Sequence, residues 1–151
     1  IVRYFNSFGP RIDFKGYGSV VANFIRQALA GEPLTVHGDG NQSRCFTYIT
    51  DTVEGTFLAG TMKAAEAAVF NIGNDVEVTI NDLAERVKAV SGSPSKITHV
   101  SYESRYGKSF EDTKRRVPDL TRARNVLGYS PNVSLDEGLQ LTLDWWRREH
   151  R

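Results

Sequence analysis

Two kinds of side chain can grip a phosphate: glycines that let backbone N–H groups close on it, and arginines whose forks meet its oxygens. This sequence offers only the second. Neither G-x-G-x-x-G nor G-x-x-G-x-x-G can be spelled from its glycines; Gly16-Tyr17-Gly18 lacks a third member, and Gly38-Asp39-Gly40 reads as a turn. Arginines are plentiful, but spacing alone leaves each as solvated surface, leaves Asn6 as a turn former after a strand, and leaves Lys114-Arg115-Arg116 as charged loop. Thr35 and His37 lie two apart and leave a strand on one face, where His37 is able to stack or hydrogen-bond. Cys45 is the only cysteine, so no internal disulfide forms and no zinc spacing exists. No metal ligand and no catalytic residue is assigned.

These side chains need elements to hold them. Ile1 to Phe5 reads as a strand that opens the chain in mid-fold, and residues 6–18 as loop with a stop at Gly9-Pro10. Val20, Val21, Phe24, Ile25, Ala28 and Leu29 recur at helical spacing before Gly31 and Pro33, and Leu34 to His37 is a short strand. Cys45 to Ile49 alternates as a strand. Asp51 is expected to cap a helix reaching about Lys63, with Val53, Phe57 and Leu58 inward.

Val69 to Ile72 forms a further strand, Thr79-Ile80-Asn81-Asp82 opens a helix with Leu83, Val87 and Val90 in the core, and Ile97 to Val100 is a strand beyond it. Residues 101–116 read as a long loop. Pro118-Asp119 introduces a short helix to Leu127, and Ser134-Leu135-Asp136-Glu137 starts a final amphipathic helix in which Trp145 and Trp146 serve packing. Strands alternating with helices indicate an α/β layout with a partly parallel sheet.

A chain of 151 residues with 40% hydrophobic residues builds one core, so residues 1–151 are expected to be a single unit without an internal linker. Nineteen basic against eighteen acidic residues leave a net charge of +1, which favours neither nucleic acid nor a membrane surface as partner. No apolar run approaches the roughly 18 residues of a membrane span. With one cysteine and no leader, a reducing cytoplasm is the expected location.

Seven short runs carry a stronger signal. Tyr4-Phe5-Asn6-Ser7-Phe8-Gly9-Pro10-Arg11, Val20-Val21-Ala22-Asn23-Phe24-Ile25, Pro33-Leu34-Thr35-Val36-His37-Gly38-Asp39-Gly40, Arg44-Cys45-Phe46-Thr47-Tyr48, Asn71-Ile72-Gly73, Arg116-Val117-Pro118-Asp119 and Leu127-Gly128-Tyr129 follow one another along the chain. In this order they resemble the NAD-dependent nucleotide-sugar epimerases, dehydratases and decarboxylases of the extended short-chain dehydrogenase type. The resemblance runs over essentially the whole chain and corresponds to the C-terminal half of those enzymes. It implies the last strands of a Rossmann-like parallel sheet together with the small α/β substrate-binding lobe.

By that resemblance the partner is a UDP-sugar or another nucleoside diphosphate sugar. Arg44 and Arg116 are then the diphosphate contacts, with Arg115 as the competing member of its pair, and Asn6 is the amide donor beside them. Asp119 orients Arg116 or meets the ribose, Thr35 and His37 border the base, and Ser19 and Val20 lie on the substrate side. Tyr4, Ser7, Phe8, Gly9 and Arg11 match positions that line NAD in relatives. NAD is implied for the complete enzyme, and none is expected to bind this chain tightly alone.

The family's base is a tyrosine with a lysine four positions on, whose charge favours the tyrosinate. Tyr4, Tyr17, Tyr48, Tyr102, Tyr106 and Tyr129 all lack that lysine. The implied reaction is hydride transfer from the sugar C4 to NAD through a 4-keto intermediate. Decarboxylases of the family typically carry an arginine where Ser19 stands, so a UDP-hexose 4-epimerase comes first, the UDP-glucuronate decarboxylase second and a 4,6-dehydratase third. A non-catalytic binding or assembly module is the alternative class. The opening strand is expected to present an apolar edge, either to a second copy or to a missing N-terminal half.

Overall fold

The computed structural model describes residues 1–12, 19–102 and 112–149. Parallel strand pairing dominates it. Strand β1 (Val2–Tyr4) pairs in parallel with β6 (Phe70–Ile72), β2 (Ser7–Phe8) with β5 (Thr47–Tyr48), and β3 (Leu34–His37) with β8 (Ile97–Val100). Strand β4 (Ser43–Cys45) lies between β7 (Glu77–Thr79), which is antiparallel to it, and β9 (Arg115–Arg116), which is parallel.

Helices cover these pairs and divide the interior into two clusters. Helices α1 (Val20–Ala30) and α3 (Ile80–Ser91) pack on strand β3, and α5 (Leu135–Glu149) packs on α3, around Phe24, Ile25, Leu34, Val36, Leu83, Val87, Leu139 and Leu143. Each of these is shut off from solvent, and burying a side chain of that size contributes about 2 kcal/mol. Helix α3 begins as its sequence predicts: Thr79 accepts from the Asp82 N–H, and Asp82 reaches back to the Thr79 N–H. The second cluster joins Phe70 and Ile72 to Leu120, Ala123, Leu127 and Tyr129, under helix α2 (Ile49–Thr61) and helix α4 (Thr121–Leu127).

Four expectations change. The strand expected from Cys45 to Ile49 is two short strands broken at Phe46, and Ser7–Phe8 is a strand inside the expected loop. Arg115–Arg116 is also a strand rather than the end of a loop, while residues 103–111 of that stretch lie outside the described residues.

The largest change concerns α2. Tyr48 is its N-cap, and Asp51 sits buried in the first turn, where its Oδ2 accepts from the Val133 N–H at 3.1 Å. Val53 and Phe57, expected inward, are 60% and 65% exposed. The cause is Gly55. A β-carbon there would stand 2.6 Å from Ile72 Cγ2 and 3.0 Å from the Tyr129 ring, so this glycine face is the one that lets the helix approach β6. Asp51, Gly55, Leu58 and Met62 form the inner stripe, and Val53 and Phe57 are turned outward.

Candidate functional site

Register sorts the arginines. Arg44 of β4 is the parallel partner of Arg116, and Ser43 that of Arg115. Partners in register leave a sheet on the same face, and neighbours along a strand alternate. Arg44 and Arg116 therefore share one face, and Ser43 and Arg115 the other. On the second face Glu77 takes both prongs of Arg115, at 2.9 to 3.1 Å, and also accepts from the Ser43 hydroxyl. The Arg115 fork, followed by the Ser43 hydroxyl, holds the Glu77 carboxyl below its ordinary range. Arg115 is thus committed, whereas the exposed side chain of Arg116 has no hydrogen bond or ion pair among the described residues.

Arg44 is a different kind of residue. Its side chain is only 9% exposed, its Nη1 donates to the Ser43 carbonyl at 2.7 Å, and its Nη2 meets Asp112 Oδ1 at 2.7 Å. Asp112 Oδ2 accepts from the Tyr102 hydroxyl at 2.9 Å, and Tyr102 in turn accepts from Gln42 Nε2 at 2.8 Å. Burial, reinforced by the bond to Asp112, pushes the Tyr102 phenol up to about 12, so it remains a donor at neutral pH. Gln42, Tyr102 and Asp112, but not Arg44, line an open cleft of about 600 Å³ together with Asp39, Asn41 and Lys114.

The other expected ligand contacts fall around this seam or away from it. Asn6 adopts a left-handed φ of 41°, and its Nδ2 donates to the Cys45 carbonyl at 2.8 Å, beside Arg44. One of its amide hydrogens is thereby used. His37 lies at the end of β3 with its ring 6.1 Å from that of Tyr102, and its carbonyl accepts from Gln42. The chain can turn sharply there because Gly38 has a φ of 76° and no side chain to strike the Tyr102 ring.

Thr35, expected at the base, is held on helix α1: its Oγ1 and its N–H both bond the Gln27 amide at 3.0 Å. Val20 packs against the larger core cluster, and Ser19 is half-buried at the start of α1 without a side-chain cap bond. Asp119 neither orients nor touches Arg116. Its Oδ1 instead accepts from the N–H of Thr121, the first residue of α4, at 2.9 Å.

The positions expected at NAD divide as well. Tyr4 and Ser7 line an open groove of about 520 Å³ with Ile49, Thr52, Val53, Thr56 and Phe57. Ser7 bonds Thr52 Oγ1 at 2.9 Å, and Tyr4 bonds Thr56 Oγ1 at 3.1 Å. Phe8 is instead a core residue, edge-on to Tyr48, and buried Gly9 lies against Ile49, where a β-carbon would come within 2.6 Å. Arg11 is exposed, with a left-handed φ of 65°. This set does not by itself fit a dinucleotide. It supplies one apolar wall and two hydroxyls already bonded to threonines, with no cradle of backbone N–H groups for a pyrophosphate. Among the described residues no cluster of three His, Cys, Asp or Glu side chains could hold a metal, and no helix is long and apolar enough to cross a membrane.

Asp112, Tyr102 and Gln42 are missed by the sequence reading. A lone aspartate in a polar stretch has no periodic signal. Extending β8 past Val100 in register with β3 would put Tyr102 opposite Asp39, on the same face as His37.

Residues 1–142 match the family model described as GDP-mannose 4,6 dehydratase. A UDP-N-acetyl-alpha-D-glucosaminuronate decarboxylase from Bacillus cytotoxicus is 43% identical over 97% of this chain, which covers 46% of that protein. UDP-glucuronic acid decarboxylase 1 from Xenopus tropicalis is 40% identical over 99% of this chain and 33% of that protein. In structure, a UDP-glucose 4-epimerase from Thermotoga maritima, solved with UDP-glucose, superposes at a TM-score of 0.89 with 34% identity, over 99% of this chain and 46% of that one. A UDP-glucuronic acid 4-epimerase from Bacillus cereus, in complex with UDP-glucuronic acid and NAD, gives 0.86 and 32% over 99% and 45%. The chain spans half or less of the length of the proteins it matches.

Proposed function

We propose, since this chain belongs to the GDP-mannose 4,6 dehydratase family of NAD-dependent epimerases and dehydratases that modify nucleotide sugars, that it is the nucleotide-sugar-binding half of a UDP-sugar 4-epimerase acting through a 4-keto intermediate. The observation that carries this reading is the pairing of Arg44 with Arg116 on one sheet face, beside Asn6. Of that pair the Arg116 side chain is uncommitted, and two guanidinium groups on one face, with the Asn6 amide at the neighbouring Cys45 carbonyl, suit the oxygens of a diphosphate. His37 and Tyr102 are taken to border the base.

Residues 1–151 are read as one unit, and the cytoplasm as its location, in keeping with the lone buried thiol of Cys45. NAD belongs to the complete enzyme, with Tyr4 and Ser7 as this chain's contribution to its site. The groove along β1 and α2 is read as the seat of a second copy or of a half carrying the glycine-rich turn and the tyrosine–lysine pair.

A decarboxylase is the second reading, favoured by the names of the relatives at 40 to 43% identity. Ser19 weighs against it, because a serine gives a sugar carboxylate no charge partner. Titration calorimetry with UDP tests the binding claim: heat of binding is expected from UDP and little from uridine, and equal responses would refute a diphosphate site. Turnover of UDP-glucose by the purified chain with added NAD is expected to be absent. When the chain is complemented with a polypeptide bearing the cofactor turn, the products decide between the reactions: an epimer from UDP-glucose, or carbon dioxide from UDP-glucuronate.

A further inference from the structure

The Arg44 guanidinium is held at both terminal nitrogens, by the Ser43 carbonyl and by Asp112, in a place that water hardly reaches. Asp112 is itself held from behind. The Tyr102 hydroxyl has one proton and gives it to Asp112 Oδ2, so toward Gln42 Nε2 it acts as acceptor, which fixes the direction of the chain of bonds. The same Gln42 nitrogen reaches the His37 carbonyl at 3.0 Å, and the Tyr102 ring closes over Gly38. Four side chains thus join β4 to the turn after β3 through one carboxylate.

We infer that Asp112 is a positioning residue, which with Tyr102 and Gln42 fixes the plane of the Arg44 guanidinium toward an anion on the Arg116 face. The inference rests on the diphosphate reading for the identity of that anion, but the ordering of Arg44 is measurable without it. A guanidinium on a flexible stem loses rotamer entropy when it binds, and a fixed one has already lost it.

The test uses the full chain, with UDP and inorganic pyrophosphate as probes and side-chain NMR of Arg44, assigned through its loss in Arg44→Lys, as a readout independent of ligand. Asp112→Ala is expected to speed guanidinium proton exchange and to weaken both probes by about tenfold, the size of one charge-assisted hydrogen bond. Tyr102→Phe unties Asp112 without touching Arg44 and is expected to give about threefold in each, as for one neutral hydrogen bond. It also keeps the test open if Asp112→Ala fails to fold. Asp112→Asn keeps an acceptor for Arg44 and is expected to restore most of the affinity.

A bridge that served only stability would lower the melting temperature in Asp112→Ala and leave the affinity of the folded protein unchanged. That result, unchanged Arg44 exchange, or tighter binding of either probe in Asp112→Ala would each overturn the inference. If neither probe binds the wild-type chain while Arg44 exchange still follows Asp112 and Tyr102, the diphosphate reading fails and the positioning of Arg44 stands.

Discussion

The seam between β4 and β9 and the groove between β1 and α2 lie on one chain and are finished to different degrees. At the seam nearly every charge has an internal partner: Arg44 has Asp112, and Arg115 has Glu77. Among the described residues only the Arg116 side chain has neither a hydrogen bond nor an ion pair there, while Lys114 acts on Asp39 through its charge. At the groove the polar groups are satisfied, through Ser7 with Thr52 and Tyr4 with Thr56, while the apolar ones are not. Tyr4, Val53 and Phe57 are all more than half exposed. A surface short of charge compensation at one point suits a small anion; one short of apolar cover suits a polypeptide. The proposed diphosphate contact draws on the first kind of surface and the proposed self-association on the second.

Removing the apolar excess should have the largest effect. The double substitution Val53→Asp and Phe57→Asp places two charges in the groove, and analytical ultracentrifugation is expected to show a self-associating chain become a monomer. Both side chains point to solvent, so the melting temperature should change little. A wild-type chain that sediments as a clean monomer at all concentrations would remove the self-association reading and leave only a different polypeptide as occupant.

The seam predicts two unlike arginine variants. Arg44→Ala strands the partly buried Asp112 carboxylate and is expected to cost about 2 kcal/mol of stability, read from urea midpoints, as well as affinity for UDP. Arg116→Ala removes a side chain that holds nothing, so stability should be unchanged while UDP binding falls about tenfold. The wild-type affinity should also fall with salt more steeply than that of Arg116→Ala. If the two variants lose stability equally, the contrast between a committed and an uncommitted arginine is wrong.

The two regions were unequally legible in the sequence, for physical reasons. Helix α3 could be read from Thr79 and Asp82 because a capping box is local. The outward turn of Val53 and Phe57 could not be read, because Gly55 decides which face of α2 meets Ile72, and that contact joins residues 17 positions apart. For the same reason the choice between Arg115 and Arg116 stayed open: only the register of β9 on β4 assigns them to faces. Motif order singled out Arg44 as a candidate, but the aspartate that holds it lies 68 residues on and belongs to no pattern.

The weakest effect belongs to the committed face of the seam. Glu77 has its carboxyl lowered from an ordinary 4.5, chiefly by the Arg115 fork and then by the Ser43 hydroxyl. A carboxyl lowered on folding stabilises the folded state above its unfolded value, and that contribution disappears as pH falls through the folded value. Glu77→Gln should therefore be less stable than wild type at pH ~7, and the two urea midpoints should converge on titration toward pH ~3. The pair is exposed to solvent, so the gap at neutral pH should be small and should shrink in high salt. A gap that persists unchanged at low pH would mean that Glu77 acts there by shape and hydrogen bonding rather than by charge, and the two faces of β4 would then differ less than their arginine partners imply.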